Sequence, residues 1–382
     1  SRDQQTLGSF PRTYYTFGIE PRVSHVFDLG PTSQEVSVGY RYLKEGMHEQ
    51  ASNLRLVNNV PTPIGQNDGH VYQDRTGGTE ANAFYIDDKI DVGKWTITPG
   101  IRFESIRTEW HDRPVVGLNG TRTQEKRREI KNNEPLPALS VMYHVSDAWK
   151  LFANYETSFG SLQYFQLGQG GNGDQTANGL QPEKAKTYEI GTRYNDNVWG
   201  GEVTLFYIDF SDELQYVSND VGWTNLGATK HTGIEASAHY DLANLDPRLE
   251  GLSANAGFTY TKATSEGDVA FKGRDLPLYS REVATLGLRY AVNRWTHNLD
   301  VYAQSGQRAP GTTSTYITQP TADGQYGDIP GYVSVNVRSG YDFGAQLSNL
   351  KLGVGVKNLF DQQHFTRSSD NNSGIYLGEP RT

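Results

Sequence analysis

The sequence predicts an all-β chain that forms part of a transmembrane antiparallel β-barrel, and three observations lead to this fold class. About 15 segments alternate between apolar and polar residues with the period of a strand. Most segments have about nine or more residues, which matches the roughly 9–11 tilted residues that cross a bilayer. Short and long connections follow one another largely in turn, as they do in outer-membrane barrels.

The alternating segments predict which side chains share a face of the sheet. In "ATLGLRYAV" the side chains of Leu286 and Leu288 point to one face, and that of Arg289 points to the other. Val335 and Val354 belong to the apolar sides of two later segments. Since the long strands favour a membrane barrel, we expect the apolar face to meet lipid and the polar face to line a lumen.

The connections predict the orientation of the chain, because short turns are periplasmic and long loops extracellular in such barrels. The short links are residues 30–34, 91–94, 145–149, 195–197, 291–294 and 344–349. The long links are residues 57–77, 113–133, 169–182, 218–230, 264–278 and 309–331. Aromatic residues near strand ends are expected to form the two interfacial belts; they are Tyr14, Tyr15, Trp95, Trp110, Trp149, Trp199 and Trp295.

Composition narrows the class of function. The 382 residues include no cysteine, which excludes disulfides and thiol catalysis, and the formal net charge is -9. No run of 18 or more apolar residues predicts a transmembrane helix. The nine histidines are scattered without metal-ligand spacing. The sequence gives no sign of a metal site, a cofactor or a nucleic-acid partner, and nothing in it suggests an enzyme.

The strand count predicts a chain that is part of a larger barrel. About 15 strands is an odd number, whereas single-chain bacterial barrels use even numbers. An open barrel would also leave two unpaired edges in lipid, which is costly.

Several stretches resemble the barrel signatures of TonB-dependent outer-membrane receptors, and others resemble the ferric citrate receptors of that family. The general signatures are "LQPEKAKTYEIGTRY" (180–194), "KHTGIEASAHYDL" (230–242), "DIPGYVSVNVRSGYDF" (328–343) and "VGVKNLFDQQHF" (354–365). The stretches similar to ferric citrate receptors are "GIEPRVSHVFDLGPTSQEVSVGYRYL" (18–43), "GTEANAFYIDDKIDVGKWTITPGIRFE" (78–104), "LPALSVMYHVSDAWKLFANYETSFG" (136–160) and "DNNSGIYLGEPRT" (370–382).

The resemblance implies a barrel of about 22 strands with a plugged lumen. Residues 1–382 would form about the last two-thirds of it, with the plug and the TonB-contacting region upstream. It also implies active import of an iron chelate, most closely ferric citrate, which is a substrate and not a cofactor. Outer-membrane lipid and lipopolysaccharide would surround the barrel. The basic segment 122–133 is predicted to lie on an extracellular loop, where it either is simply solvated or attracts anionic chelates or lipopolysaccharide phosphates.

The resemblance also implies candidate ligand-binding residues. Arg12 stands at the counterpart of a ligand-binding arginine. A second such arginine corresponds to Arg75 if one gap is allowed, and to Gln73 without a gap. A ligand-binding glutamine falls at Ser218, where this sequence differs, although two amide side chains, those of Gln215 and Asn219, are near. Arginine suits a carboxylate ligand because its guanidinium keeps its charge and offers two parallel donors.

Three alternatives to ferric citrate import stay open from the sequence. Within the class, the substrate would be another siderophore or a nutrient without metal. From a second class, the chain would belong to a passive porin, which needs no plug. From a third, it would be a soluble β-rich binding protein, but shorter strands and less regular connections are then expected.

Overall fold

The structure is a computed structural model that describes residues 4–62, 68–117, 119–168, 180–218, 222–225, 227–267, 272–308, 328–347, 349–368 and 375–382. Strands make up most of it, which confirms the predicted fold class. A single short α-helix among these residues, α1, spans Tyr164–Gly168. No helix in the described ranges has the length and apolar character that crossing a membrane requires.

Strands in the first half of the chain range from two to 26 residues in length. They are β1 (Gln4–Ser9), β2 (Arg12–Ile19), β3 (Arg22–Leu29), β4 (Thr32–Val57), β5 (Val60–Pro61), β6 (Val71–Val92), β7 (Trp95–Arg113), β8 (Lys126–His144) and β9 (Trp149–Gly160). The remaining strands are β10 (Glu183–Asn195), β11 (Trp199–Ser211), β12 (Leu214–Ser218), β13 (Gly222–Asn225), β14 (Thr229–Asp241), β15 (Leu252–Ser265), β16 (Glu282–Val292), β17 (Trp295–Gln304), β18 (Gln307–Arg308), β19 (Asp328–Ile329), β20 (Tyr332–Asp342), β21 (Lys351–Val356), β22 (Phe365–Ser368) and β23 (Ile375–Leu377).

One antiparallel sheet contains most of these strands, and each spanning strand pairs with its neighbours along the chain. Strands β1, β2 and β3 all pair with β4, so they are successive pieces of one span interrupted at Pro11 and Pro21. Proline lacks the N–H that a ladder needs. With β5 too short to count, the described sheet has fourteen spans, and reciprocal bonds between Lys357 and Thr382 begin one more pairing. This agrees with about 15 predicted strands.

The register of the sheet confirms the predicted faces. Leu286 lies opposite Val301, and Val301 lies opposite Val335, so these three side chains share a face. Leu288 continues that face beside Leu286 along β16. Val354 lies opposite Ser339, two positions beyond Val337 on the same side of β20 as Val335. We call this side of the sheet the apolar face and the opposite side, which carries Arg289, the polar face.

The apolar face is exposed along its length, as a hydrocarbon-facing surface must be. Ile190 is 61% exposed and Val354 is 69% exposed. Soluble monomers rarely expose a continuous apolar surface of this size. Trp95, Trp149, Trp199 and Trp295 each begin a strand directly after a short turn, which confirms their predicted place near that end of the sheet.

Two predicted features differ from the structure. The long connections 57–77 and 113–133 are shorter than predicted, because β6 begins at Val71 and β8 begins at Lys126. Most of the basic segment 122–133 is therefore strand, stabilised by continuous pairing with β7. Trp110 does not belong to an interfacial belt: it lies on the polar face, 3% exposed, and Tyr14 shares that face.

The short turns at the other end of the sheet are as predicted. Gly93 and Asn293 take positive φ angles of 58° and 54° in the two-residue links that join β6 to β7 and β16 to β17. Asp196 caps the β10–β11 turn, since its Oδ1 accepts hydrogen bonds from the backbone N–H groups of Val198 (2.7 Å) and Trp199 (2.9 Å). Three short 3₁₀ segments complete this end: Leu242–Asn244, Pro247–Leu249 and Gly344–Leu347.

Candidate functional site

The extended ends of β2, β4, β6, β7 and β8 carry a row of alternating charges across the polar face. The register places each of these residues directly opposite the next one, strand by strand. We call this set the charged row; its members are Arg12, Glu49, Arg75, Asp112 and Lys126. Opposite charges at directly paired positions stabilise neighbouring strands, which explains why pairing continues so far along these strands.

The first contact in the charged row joins Arg12 to Glu49. Arg12 Nε donates a hydrogen bond to Glu49 Oε2, and Gln73 Nε2 donates one to Glu49 Oε1 at 2.7 Å. The hydrogen bond to Glu49 raises the pKa of Arg12 above its ordinary value, so the guanidinium is always charged. Glu49 is buried, whereas half of the Arg12 side chain is exposed. The Arg12 side chain is therefore held by the buried Glu49 carboxylate, while half of its own surface stays accessible.

The second contact joins Arg75 to Asp112. Arg75 Nε donates to Asp112 Oδ1 at 2.8 Å, and the guanidinium carbon lies 5.7 Å from the centre of the Trp110 ring. Arg128 approaches the other oxygen of Asp112, with 3.9 Å between Nη1 and Oδ2. An aromatic face and a carboxylate thus fix the plane of the Arg75 guanidinium, which preorganises it for a second partner.

Both arginines retain donors that a ligand can use. Nε of each arginine donates to a carboxylate and Arg12 also interacts with the Tyr14 side chain, so the five N–H donors of each guanidinium exceed these contacts. The exposed fractions of the two side chains are 50% and 31%. Since the residues lie two strands apart, their backbones are separated by about 10 Å. Two separated oxygen groups of one ligand can contact both.

An apolar cluster packs beside the charged row, and two of its members, Met47 and Trp110, lie two positions from Glu49 and Asp112 on the same strands. Helix α1 lies against β6, β7 and β8, and Arg128 Nη1 donates to the carbonyl oxygen of Leu167 at 2.8 Å. Gly77 permits this approach, because a Cβ there would lie 2.6 Å from the Tyr164 ring. The buried members of the cluster are Met47, Trp110, Leu162, Leu167 and Leu180.

The remaining predicted residues lie on or beside a separate hairpin. Gln215 and Ser218 belong to β12, which pairs with β13, and Asn219 lies outside the described residues. The hairpin contacts the apolar cluster through Leu214 and Trp223. The structure thus brings Arg12, Gln73 and Arg75 together and attaches the β12–β13 hairpin to the cluster beside them.

Sequence reasoning missed Glu49 and Asp112, and it assigned Trp110 to an interfacial belt instead of to the surroundings of Arg75. Each acidic residue lies 37 positions from the arginine that it contacts, so local spacing gives no signal. The signal is the strand register: once β4 and β6 are aligned, Glu49 falls opposite Arg75. A sequence search for carboxylates opposite the candidate arginines would have found both.

A second polar cluster joins two neighbouring connections at the same end of the sheet. Glu213, directly after β11, accepts hydrogen bonds from Thr229 Oγ1 and from the hydroxyl of Tyr279 at 3.2 Å. His231 Nε2 lies 3.3 Å from the same carboxylate. Burial raises the pKa of Glu213, but these hydrogen bonds outweigh it and hold the pKa below its ordinary value. These contacts join the connection between β11 and β14 to the connection between β15 and β16.

Comparison with known proteins identifies the architecture. The family described as "TonB dependent receptor-like, beta-barrel" matches residues 1–359. The chain belongs to this family. Its apolar face is therefore the outer surface in the hydrocarbon of the bacterial outer membrane, and its polar face lines the lumen.

Individual relatives support this assignment. The crystal structure of the ferric citrate transporter FecA in the unliganded form has 40% sequence identity and a TM-score of 0.80, and the match covers 98% of this chain and 54% of that one. The metal-pseudopaline receptor CntO of Pseudomonas aeruginosa is 25% identical over 309 residues, covering 79% of this chain and 40% of the relative. The catecholate siderophore receptor Fiu of Escherichia coli is 24% identical over 392 residues, covering 95% of this chain and 49% of the relative.

The chain spans about half the length of these relatives. All three are named as receptors or transporters and none as an enzyme, which agrees with the prediction that the chain is not an enzyme.

Proposed function

We propose that the protein takes part in TonB-dependent uptake of an anionic ferric chelate across the outer membrane, with ferric citrate as the preferred substrate. Arg12 and Arg75 bind the chelate near the extracellular mouth of the lumen, and Gln73 contributes an amide donor. The observation that carries this proposal is the convergence of these three side chains on one exposed part of the lumen wall.

Elementary chemistry supports the proposal. Ferric citrate complexes are anionic and present carboxylate oxygens at their surface. Guanidinium groups bind carboxylates through two parallel hydrogen bonds and stay charged at every relevant pH. Arg12 and Arg75 are each held through Nε by a carboxylate, and each guanidinium has further N–H donors that suit a carboxylate ligand.

The relatives are named for different chelates. The structure at 40% identity is titled a ferric citrate transporter, whereas relatives at 24% and 25% identity are named for catecholate siderophores and metal-pseudopaline. The higher identity favours ferric citrate, and a different siderophore is the second candidate. A passive porin is the third, and it predicts uptake that continues when the proton gradient is dissipated.

Equilibrium binding of ferric citrate to the receptor as the cell produces it tests the proposal. Arg12→Ala and Arg75→Ala should each weaken binding about 10- to 150-fold, since a charge-assisted hydrogen bond contributes about 1.5–3 kcal/mol. Lysine at either position should restore only part of the affinity, because it keeps the charge without the planar fork.

Arg102→Ala is the matched control. Arg102 also lies on the lumen wall, donates through Nε to a carboxylate, that of Glu104, and lies 5.4 Å from the ring centre of Tyr85. Its side chain is 29% exposed, close to the 31% of Arg75. This variant should bind ferric citrate like the parent. Binding within about twofold of the parent by both Arg12→Ala and Arg75→Ala contradicts the proposal.

Two partner contacts complete the proposed function. TonB supplies the energy for uptake, so a proton uncoupler should abolish ferric citrate accumulation. On the outward side, Lys44, Arg107 and Lys131 occupy one register row together with Glu80, just beyond the apolar band, where they suit the phosphates of lipopolysaccharide. Replacing Lys44 and Lys131 with glutamine should lower the lipopolysaccharide that copurifies with the receptor.

A further inference from the structure

The carboxylates of the charged row occupy positions that a chelate would compete for. Glu49 receives hydrogen bonds from Arg12 and from Gln73, one on each oxygen. Asp112 receives one from Arg75 on Oδ1 and faces Arg128 with Oδ2. The three proposed ligand donors, Arg12, Gln73 and Arg75, are therefore each already hydrogen-bonded to a carboxylate of the lumen wall.

We propose that Glu49 and Asp112 are internal counter-ions that set the charge selectivity of the site. They are positioning residues: they orient the donors and offset the charges of Arg12 and Arg75, so that each pair is close to neutral. This inference rests on the proposed function, because it concerns how the same site distinguishes one anion from another.

Counter-ions of this kind favour a large, multiply charged chelate. An anion that contacts one arginine meets a pair whose charge is already offset, and it gains little. A chelate whose oxygen groups span about 10 Å contacts both arginines at once, and its several charges outweigh the repulsion from the wall. The carboxylates thus weaken binding of every anion in proportion to its charge, and a chelate that contacts both arginines keeps a larger net attraction than an anion that contacts one.

The burial of the two carboxylates strengthens their effect. The side chain of Glu49 is 11% exposed and that of Asp112 is 23% exposed, whereas Arg12 is half exposed. Partly buried charges are screened less by salt than exposed ones. The negative charge is therefore a fixed property of the wall, and the more exposed arginines present their remaining N–H donors to a ligand.

Isosteric amides remove the charge while keeping the size and shape of the side chain. Glu49→Gln and Asp112→Asn keep one oxygen acceptor, for Arg12 and Arg75 respectively, and replace the second acceptor oxygen by an NH2 group. In the receptor as the cell produces it, each variant should bind ferric citrate about tenfold more tightly than the parent. Metal-free citrate, a smaller anion, should also bind each variant more tightly than the parent, because the same repulsion is removed.

Glu104→Gln is the matched control, because Glu104 pairs with Arg102 on the same wall but outside the charged row. It should leave both affinities unchanged. Ferrioxamine B, a cationic chelate, is the charge control, and it should gain nothing from either amide.

Binding of ferric citrate by Glu49→Gln or Asp112→Asn that is no tighter than that of the parent overturns the inference, because a purely structural pair predicts equal or weaker binding. If Glu49→Gln does not reach the outer membrane, Asp112→Asn carries the same test. Loss of affinity in Arg12→Ala without a gain in the amide variants leaves the proposed function intact and removes only this inference. If the parent receptor does not bind ferric citrate, both the proposed function and this inference are overturned.

Discussion

The two ends of the long strands β4, β6, β7 and β8 differ in which faces are polar. At the short-turn end, the outward side chains are apolar, as in the row that joins Val38, Ile86 and Ile101. At the long-connection end, both faces carry charges: Arg75 points into the lumen and Arg107 points outward. The change occurs at Ser105, which lies opposite Asn82 and Asn133.

This difference shows what each medium requires of a strand. In hydrocarbon, an outward polar side chain is costly, so only the lumen face may vary. Beyond the hydrocarbon, water reaches both faces, and strand pairing is stabilised instead by cross-strand charge pairs such as Arg75 with Asp112. The charged row lies in this second part, where charge is permitted on either side.

The largest effect is expected from a charge in the hydrocarbon part. Leu286→Arg should lower the free energy of unfolding by about 2–4 kcal/mol, because Leu286 is central in β16 and faces lipid beside Val301. Thr285→Arg, the same substitution one residue earlier, should cost far less because Thr285 faces the lumen. Folding titrations into lipid vesicles measure both. Equal losses of unfolding free energy in the two variants would contradict the assigned register.

A smaller effect is expected from the same charge at the boundary. Ser105→Arg should cost about 0–1 kcal/mol, since it is outward-facing but flanked by asparagines at the edge of the apolar band. The same folding titration measures it. A cost as large as that of Leu286→Arg would place the hydrocarbon boundary further out and would put part of the extension inside the membrane.

Sequence alone predicted the hydrocarbon part well and the extended part poorly. The alternation around Leu288 predicts a strand directly, because a period of two does not fit a helix. The segment from Lys126 to Asn133 alternates among charged and polar residues, which is also typical of a solvated loop. Only pairing with β7 shows that it is a strand. Arg12 and Arg75 were named from resemblance, but Glu49 required the register.

The smallest effect is expected at the short turns. Hydrogen bonds from the backbone N–H of Trp199, the hydroxyl of Tyr194 and the N–H of Val198 lower the pKa of Asp196. Because the folded pKa lies below the unfolded value of about 3.9, the stabilisation is present above that pH and is lost as pH falls through the folded pKa. Thermal unfolding of the parent and Asp196→Asn should differ at pH 6 and converge in stronger acid. A difference that does not change with pH would show that the turn is not stabilised by this charge.

The central claim is that the charged row binds the chelate, and the position of the iron tests it most directly. Crystals of the receptor as the cell produces it, soaked with ferric citrate, would locate the iron by anomalous diffraction at the iron absorption edge. The account predicts one iron peak above the polar face, within about 10 Å of the guanidinium groups of both Arg12 and Arg75. An iron peak bordered by neither guanidinium would contradict it.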